Sequence, residues 1–379
     1  MKSENDNAVI VRIAVCIGGT NTNVAALDAA YKEIVKITIS TSSGGELMDA
    51  CKAAEDRIGF TRKHWEEFLP HRKKLLDELG DAIKQVAQQA GEQGYVAVGV
   101  GVSAPGAIHP ITGEILGPFG GMNLPAWGNF NLKDEIRNRT GLETRVINDA
   151  KAMALGALTR MSFDTISFPD PDRAEQMIGD KGRYIRDFIE IDPGTGLGGA
   201  YVVAGEIWFG TDRDNPDPDV GEIWKLDITP DVPGSNLEEQ SSGRVTVRRI
   251  EERLMTQAGE EGKQLVREAD GYIQDMLRIA SAEMRTLVCE ELTRTGVYIG
   301  KGIRLLMTEE RERLQAPDIR TFLIGGGLVS GDSEEASTVR RALYDGIRTE
   351  LVEMKPFPQI LFTRLGSKAG VVGSAALLE

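Results

Sequence analysis

Cysteine and histidine, the residues that form disulfides or bind zinc, are scarce in this sequence, which has three of each among 379 residues. The cysteines, Cys16, Cys51 and Cys289, are widely separated and odd in number, and no C-x-x-C pair occurs. This pattern argues against a disulfide framework and predicts no structural zinc and no other metal held by protein ligands alone. Stability must therefore come from a buried core, for which the chain is long enough.

Long apolar runs are also missing. No stretch approaches the roughly 18–20 residues that cross a bilayer, and residues 1–7 lack the basic and apolar regions of a signal peptide. Acidic residues outnumber basic ones by 58 to 44, for a net charge of −14, which disfavours binding to nucleic acid or to anionic lipid. We therefore expect a cytoplasmic protein with no membrane or nucleic-acid partner.

The chain is long for a single core, and a usual domain size of roughly 150 residues predicts two domains or three. Strands are predicted at 9–16, 24–27 and 34–39, where β-branched residues are frequent, and they would form a three-strand meander that opens a mixed sheet. Residues 57–74 are highly charged, and we interpret them as an insertion or lid in a helical segment that Pro70 interrupts.

Further elements follow along the chain. Residues 162–183 are polar and contain prolines, and they predict a surface loop. Asn131 is placed to cap a short helix. The remaining predictions are strands at 95–103, 144–147 and 321–324 and helices at 46–93, 132–139, 150–161, 370–378 and over most of 245–314.

Two glycine-rich turns each follow a strand-like run and lead into another strand. Glycine lets the backbone approach a polyanion, and the N–H groups then form a donor nest for phosphate oxygens. The residues are Gly18, Gly19, Thr20 and Asn21 in the first turn and Gly194, Thr195 and Gly196 in the second. We predict that the amides of both turns converge on one nucleotide triphosphate, and the repeated strand–turn–strand unit is consistent with two similar halves.

Other nucleotide motifs fit less well. Residues 194–199 satisfy G-x-G-x-x-G, but this dinucleotide fingerprint requires a helix next, whereas residues 200–205 have the pattern of a strand and a turn. No glycine run ends in Gly-Lys-Ser/Thr, so the sequence has no Walker P-loop. An oxidoreductase is therefore the less favoured alternative, and the turns indicate another kind of phosphate site.

Asp149 follows the predicted strand at 144–147, in an Asn148-Asp149-Ala150 step. A carboxylate there can take the proton of a hydroxyl group that attacks a phosphoryl group, and such a general base contributes about 10²–10⁴-fold to a rate. Aspartate before a helix is also a common N-cap, and the two roles are compatible. The glycine turns and this aspartate together predict a phosphotransferase.

The order of several short motifs resembles that of the ROK family of sugar kinases. The motifs are I-G-G-T-N at 17–21, A-P-G-A-I at 104–108, N-L-P-A-W at 123–127, N-D-A at 148–150, G-T-G-L-G-G at 194–199, G-E-I at 221–223, L-E-E-Q-S-S-G at 237–243 and I-G-G-G-L at 324–328. Each string is common alone, but the ordered set extends over almost the whole chain. The resemblance implies an α/β, two-lobed, ribonuclease-H-like fold of the actin and hexokinase type, with mixed sheets flanked by helices and with ATP and sugar in a cleft between the lobes.

The resemblance also implies roles for individual residues, with Asp149 as the general base. The residues implied in sugar binding are Asn123, Asn148, Asp149, Glu222, Lys225 and Glu238, those implied in phosphate binding are Gly18, Gly19, Thr20, Asn21, Gly194, Thr195 and Gly196, and those under the adenosine are Gly325, Gly326 and Gly327. Taken singly, the glutamates would be surface charges and the glycines ordinary turns. Trp127 would either stack on the sugar or pack in the core.

The same resemblance implies the division of the chain and its ligands. The first lobe would comprise 1–147 plus about 364–379, with the first phosphate turn and part of the sugar site. The second lobe would comprise 148–363, with the second phosphate turn and the adenosine site. A sugar is the expected small-molecule partner, ATP with Mg²⁺ is the expected cofactor, and a homodimer is the expected assembly.

The chain departs from the family at the first phosphate turn, which normally reads D-x-G-G-T. Cys16 occupies the place of an aspartate that helps to organise the metal and the phosphates. A thiol is a poor Mg²⁺ ligand, because hard cations prefer oxygen. Either activity is reduced, or another acid such as Asp192 supplies the charge, or the cysteine is a variant in an otherwise normal enzyme.

A second departure lies near the predicted sugar ligands. Many family members continue G-E-I-G-H and carry a cysteine-rich zinc loop, whereas this chain has Trp224 and Lys225 and no cysteine at 230–236. Histidine and cysteine ligands are thus missing together, which indicates loss of the zinc site. Lys225 either favours an acidic or differently substituted sugar or bridges to Glu222.

The expected function is ATP-dependent phosphorylation of a primary hydroxyl group of a hexose or hexose-like sugar, with Asp149 as base. The alternative is a sugar-binding regulatory protein of the same fold, with weak or no kinase activity because of Cys16. A DNA-binding module of the kind that precedes the kinase fold in family repressors is not expected, since the first strand begins at about residue 9.

Overall fold

The structure is a computed structural model in which residues 9–18, 21–41, 69–116, 127–168, 176–177, 185–229 and 235–379 are described. It contains two compact units. The first comprises Met1–Thr159, Asp214–Asp219 and Lys368–Glu379, and the second comprises Arg160–Arg213 and Val220–Ser367.

The first unit extends to Thr159, past the predicted lobe boundary at 147/148. Gly156 is packed within this unit, since a Cβ atom there would be 1.9 Å from the carbonyl oxygen of Ala369. Such close packing holds the start of the helix after the boundary within the first unit. The predicted division into lobes, with the ligand roles assigned to each, stays a prediction.

The described part of the first unit contains a five-stranded sheet in the order β3-β2-β1-β4-β7. Its first three strands form an antiparallel meander, and β4 and β7 run parallel to β1 and to each other. The predicted opening meander is therefore confirmed. The strands are β1 Val9–Ile17, β2 Asn21–Leu27, β3 Glu33–Ser40, β4 Tyr95–Ala104 and β7 Thr144–Asn148, with β5 Glu114–Ile115 and β6 Phe130–Asn131 as a separate pair.

The second unit contains a seven-stranded sheet among the described residues, in the order β12-β11-β10-β13-β14-β8-β9. Its strands are β8 Thr165–Ser167, β9 Gln176–Met177, β10 Phe188–Pro193, β11 Leu197–Val203, β12 Glu206–Ile207, β13 Thr321–Ile324 and β14 Gln359–Thr363. As in the first sheet, three antiparallel strands are followed by parallel strands, and a glycine turn joins the first two. The prediction of two similar halves is confirmed by this shared order.

Helices flank these sheets, and their ends follow from local signals. The side chain of Asn131 accepts a hydrogen bond from the amide of Asp134 at 2.9 Å, which confirms the predicted N-cap. The helices are α1 Leu69–Glu92, α2 Leu132–Thr140, α3 Asp149–Asp164, α4 Leu237–Ser241, α5 Gly243–Gln257, α6 Gly259–Ala269, α7 Ile273–Ile279, α8 Ala282–Met307, α9 Glu309–Leu314, α10 Glu334–Leu351 and α11 Lys368–Ala376. No helix among the described residues is both long and apolar enough to span a bilayer.

The surface loop predicted at 162–183 is wrong in part. Residues Thr165–Ser167 form β8, which pairs antiparallel with β14. Ile166 and the following Phe168 are buried in the second unit, because period-two alternation places both on one side of the strand. The predicted insertion at 57–74 lies outside the described residues up to residue 68, and Pro70 stands in the first turn of α1, where its missing N–H group is tolerated.

Candidate active site

The carboxyl end of β7 places two predicted site residues at the start of α3. Asn148 is buried, and its Oδ1 accepts a hydrogen bond from the amide of Lys151 at 3.2 Å. Its Nδ2 donates to the carbonyl of Gly106 at 3.0 Å. The half-buried Asp149 accepts a bond from the adjacent amide of Ala150 at 2.9 Å. Asn148 therefore forms the cap that was considered for Asp149, whose carboxylate lies in the first turn, where helix dipoles favour negative charge.

A buried lysine lies two residues beyond Asp149. Lys151 is 1% exposed, and its Nζ donates to the carbonyl of Pro218 at 3.1 Å. It thereby holds the 214–219 segment against α3 within the first unit. Sequence reasoning missed this contact, because a lysine on a helix is ordinarily exposed and no local pattern signals its burial.

The first phosphate turn is described only in part. The amide of Gly18 donates to the carbonyl of Asn21 at 3.1 Å, and a Cβ atom at residue 18 would lie 2.9 Å from that oxygen. The tight closure between β1 and β2 therefore requires glycine. Gly19 and Thr20 of this turn, like the predicted sugar ligand Asn123, lie outside the described residues, so their roles stay predictions.

Cys16 lies near the end of β1, opposite Ser103 of β4. Burial raises the pKa of its thiol, the nearby negative charge of Asp149 acts in the same direction, and a hydrogen bond with Ser103 opposes both. At neutral pH the thiol is therefore uncharged. It does not supply the negative charge that an aspartate would bring to this place.

The second phosphate turn, at Gly194–Gly196, joins β10 to β11. Glu238 lies directly behind it, with its Oε2 accepting a hydrogen bond from the amide of Leu197 at 2.9 Å. A Cβ atom at Gly196 would lie 2.6 Å from the same oxygen. Thr195 at the tip is exposed. The structure thus brings one predicted sugar ligand and the predicted phosphate turn together.

Glu222, a second predicted sugar ligand, lies in a segment that packs against the same strand, β11. Gly221 adopts φ +89°, and a Cβ atom there would meet the carbonyl of Gly199 in β11 at 2.9 Å. Glu222 follows, and its Oε2 accepts a hydrogen bond from Nε1 of Trp224 at 3.0 Å. Lys225 is exposed. Glu222 and Glu238 are therefore both anchored to the first residues of β11, which sequence motifs alone do not show.

Two carboxyl groups, Glu190 and Asp192, lie on the same face of β10. Glu190 is fully buried, and neither of its side-chain oxygens has a hydrogen-bond partner among the described residues. Burial raises the pKa of Glu190 well above its usual value, and the charge of Asp192 adds to this. A Cβ atom at Gly325 would lie 2.8 Å from Glu190, and one at Gly326 would lie 2.0 Å from Asp192. These carboxyl groups therefore crowd the space beside two of the three glycines of the predicted adenosine turn, Gly325 and Gly326.

The second unit contains a cavity of about 720 Å³ that both predicted nucleotide turns line. Gly194 and Thr195 contribute from the second phosphate turn, and Gly327 contributes from the adenosine turn. The start of α5, with Arg244, forms another wall, and a helix N-terminus favours anions. Tyr272, which is 66% exposed, lines a further side. Sequence reasoning missed Arg244 and Tyr272, since neither belongs to a motif.

Metal ligands are few in the described part of the chain. There, no group of three or more His, Cys, Asp or Glu side chains could hold a metal ion, and the expected lack of structural zinc stays a prediction. Asp192 directly precedes the second phosphate turn, whose Gly194 amide bonds to its carbonyl at 3.0 Å. One such carboxylate fits Mg²⁺, which usually takes one or two carboxylates together with nucleotide phosphates and water.

The chain is similar to known sugar kinases. Residues 60–162 match the model of the ROK family. The beta-glucoside kinase of Listeria monocytogenes is 30% identical over 151 residues, which are 40% of this chain and 44% of that protein, so the match spans less than half of this relative. The glucokinase of Streptomyces coelicolor is 25% identical over 316 residues, which are 79% of this chain and 86% of that protein.

The fold defines an α/β protein of the actin and hexokinase type. A ROK family glucokinase from Streptomyces griseus, crystallised with glucose and AMPPNP, matches with a TM-score of 0.66 at 21% identity, over 97% of this chain and 98% of that chain. The predicted fold class is confirmed, and so is the resemblance to the ROK family.

Proposed function

We propose that this protein is an ATP-dependent sugar kinase that phosphorylates a primary hydroxyl group of a hexose or hexose-like sugar. The observation that carries the proposal is the cavity that Gly194, Thr195 and Gly327 line together. A donor nest for phosphates and a glycine turn for adenosine on one cavity are what a nucleotide requires. Relatives named beta-glucoside kinase and glucokinase support a sugar as the phosphate acceptor.

The nucleotide would bind through groups that carry positive or partly positive charge. The amides of Thr195 and Gly196 and the start of α5 would bind the phosphates, and Arg244 would add a full charge. Asp192 would hold Mg²⁺ together with phosphate oxygens. When bound, Mg²⁺ neutralises charge on the transferred phosphoryl group.

Asp149 would act as the general base that accepts the proton of the attacking hydroxyl group. Asn148 fixes the start of α3 through its cap and its bond to Gly106, so the direction of the neighbouring carboxylate is set by the backbone. Glu222 and Glu238 would accept hydrogen bonds from other hydroxyl groups of the sugar, since one carboxylate accepts several.

A sugar-binding regulatory protein with weak or no kinase activity is the second candidate. The observation that favours it is the uncharged thiol of Cys16 in a place where the family has an aspartate. If the missing charge is decisive, sugar would still bind but phosphoryl transfer would be slow.

A coupled ADP-release assay over hexoses, amino sugars and cyclitols separates the two candidates, with Mg²⁺-ATP and polyphosphate as alternative donors. The kinase proposal expects at least one sugar to stimulate ADP release. If sugars raise the melting temperature of the protein but none stimulates release, the regulator is correct.

The variant Cys16→Asp extends this test, with Cys16→Ser as the control that keeps the site uncharged. A rise in turnover only for the aspartate shows that the thiol limits activity. Equal or lower turnover shows that the site works with cysteine. Light scattering tests the homodimer that the family resemblance implies.

A further inference from the structure

Glu238 stands on α4, a helix of a single turn that other parts of the second unit must hold in place. A helix of five residues is not stable alone. Its N-terminal end is closed by Asn236, whose Oδ1 accepts a hydrogen bond from the amide of Glu239 at 2.9 Å. Leu237 is fully buried and packs against α8, where a Cβ atom at Gly302 would lie 2.6 Å from its Cδ2. The orientation of Glu238 therefore depends on what holds the other end of this turn.

The C-terminal end of α4 is held by Arg249 of α5. Its Nη1 donates a hydrogen bond to the carbonyl of Gln240 at 2.7 Å, in the last turn of α4. Carbonyl groups in the last turn of a helix have no partner within that helix, and a cation placed there also interacts favourably with the helix dipole. Arg249 is thus a C-terminal cap that comes from a different helix.

The guanidinium group of Arg249 is itself fixed by α8. Its Nη2 donates to Oγ1 of Thr295 at 2.6 Å, and its Nε lies 3.4 Å from Oε2 of Glu291, whose side chain is 7% exposed. The guanidinium also lies over the ring of Tyr298, 5.4 Å from its centroid. A planar group with donors in several directions can make these contacts and still reach α4, whereas a lysine ammonium has a single nitrogen. Arg249 therefore links α8 to α4.

We propose that Arg249 is a positioning residue for the candidate active site, which keeps the carboxylate of Glu238 on the amide of Leu197 by holding the end of α4. That hydrogen bond is 2.9 Å long and lies directly behind the second phosphate turn. Arg249 acts through Glu238 and not on a substrate. Its effect on the reaction rests on the proposed function, in which Glu238 binds the sugar beside that turn.

Arg253 offers a matched control, since it lies one turn further along α5 and binds the same buried carboxylate. Its Nη1 donates to Oε1 of Glu291 at 3.1 Å, and it also bonds to Glu290 and Gln257. These partners lie on α8 and α5. Arg253→Met therefore removes a cation from the same network without releasing the carbonyl of Gln240.

Hydrogen exchange of the Leu197 amide, measured by NMR, tests the link without any substrate. Arg249→Met should speed this exchange about 10-fold, because the bond to Glu238 opens more often. Arg253→Met should leave it within about 2-fold of the unchanged protein. Arg249→Lys keeps the charge but reaches fewer partners, so it should give a smaller increase in the same direction. An unchanged exchange rate in Arg249→Met, or an equal increase in Arg253→Met, would overturn the proposal.

Kinetics test whether the link serves the reaction. Arg249→Met should raise the KM for sugar and the KM for ATP about 3- to 10-fold, whereas Arg253→Met should leave both within about 2-fold. In a Glu238→Ala background, Arg249→Met should add nothing to either KM, because the carboxylate that it positions is gone. Additive effects of the two substitutions would refute the positioning role, since Arg249 would then reach the site by another route.

The exchange measurement keeps the role of Arg249 separate from the kinase proposal. If no sugar is turned over but exchange of the Leu197 amide responds as expected, the kinase proposal fails and the link from Arg249 to Glu238 stands. If sugars are turned over but exchange is the same in all the variants, the kinase proposal stands and the role of Arg249 is refuted.

Discussion

The carboxylate of Glu238 accepts a hydrogen bond from the amide of Leu197 at 2.9 Å and thereby ties the start of α4 to β11. The same oxygen would lie 2.6 Å from a Cβ atom at Gly196, so a side chain in the second phosphate turn would have to displace this carboxylate. A predicted sugar ligand thus also supports the backbone that is proposed to hold phosphate. Loss of this one carboxylate should affect both substrates.

Glu238→Ala is therefore expected to raise the KM for sugar and the KM for ATP together. It also leaves the amide of Leu197 without this partner, which costs about 1–3 kcal/mol of unfolding free energy. Glu238→Gln keeps an acceptor for Leu197 and should raise mainly the KM for sugar. Initial rates and urea unfolding measure these effects, with Glu239→Ala at an exposed neighbour as control. An unchanged KM for ATP in Glu238→Ala would contradict the dual role.

Asp149→Asn should lower kcat by about 10²–10⁴-fold, because an amide does not accept the hydroxyl proton. Sugar affinity by calorimetry should change little. The free energy of unfolding should also change little, since Asn148 and not Asp149 caps α3. The control variant is Asn148→Ala, which removes the N-cap of α3 and should lower the free energy of unfolding by about 1 kcal/mol. If Asp149→Asn loses the same stability and keeps its turnover, Asp149 has a structural role only.

Glu190 should make stability depend on pH. Burial and the charge of Asp192 raise its pKa well above 4.5 in the folded protein, whereas the unfolded chain releases this proton near its ordinary value. The unfolded state is thus favoured as pH rises. The contribution of Glu190 to stability is fully present below about pH 4 and is lost as the pH approaches the raised pKa of Glu190 in the folded protein.

Glu190→Gln stays neutral in both states, so its unfolding free energy relative to the unchanged protein should increase as the pH rises from the ordinary glutamate pKa towards the raised pKa of the folded protein. Urea unfolding at several pH values measures this difference. Glu239→Gln at an exposed position should show no such trend. A gain of equal size at every pH would mean that Glu190 is ionised in the folded protein.

Gly326→Ala should destabilise the second unit. Gly326 has φ +80° and ψ 177°, a conformation that side chains avoid, and a Cβ atom there would lie 2.0 Å from Asp192. We expect a loss of about 1–3 kcal/mol in unfolding free energy and weaker ATP binding. Gly327→Ala is the matched control, because its Cβ atom meets nothing within 4 Å while the residue lines the cavity. It should alter ATP affinity without altering stability, and equal stability of both variants would refute the role of Asp192 in shaping the turn.

Local patterns explain why most of the fold could be predicted. The β-branched run at 9–16, the cap at Asn131 and the glycine turns each determine a nearby bond or dihedral angle, so their effects are readable over a few residues. Strand β8 could not be predicted, because it has three residues and is a strand only through pairing with β14. That partner lies almost 200 residues further along the chain.

The candidate site could be predicted where sequence motifs specify its residues. It could not be predicted where long-range packing determines which residues meet. The carboxylate of Glu238 bonds to the amide of Leu197 in β11, and the backbone beside Glu222 packs on Gly199 of the same strand, through contacts that have no sequence signature of their own. Burial of the ionisable residues Glu190 and Lys151 runs against the usual preference of both residue types. Such burial depends on which helices and strands pack together, and the composition of the sequence does not determine this packing.

The packing of α11 on β4 also affects how the protein is made. The carbonyl oxygen of Ser374 lies 1.7 Å from where a Cβ atom at Gly101 would be, and its hydroxyl donates to Val15, 359 residues away, at 3.2 Å. Ala14 and Ala25 of the first sheet are covered by Val372 and Ala375 of the same helix. During translation this face of the sheet stays uncovered until α11 has left the ribosome, long after the strands that it covers. The nascent first sheet must therefore wait, exposed to aggregation and to chaperones, for a helix that is synthesised much later than its strands.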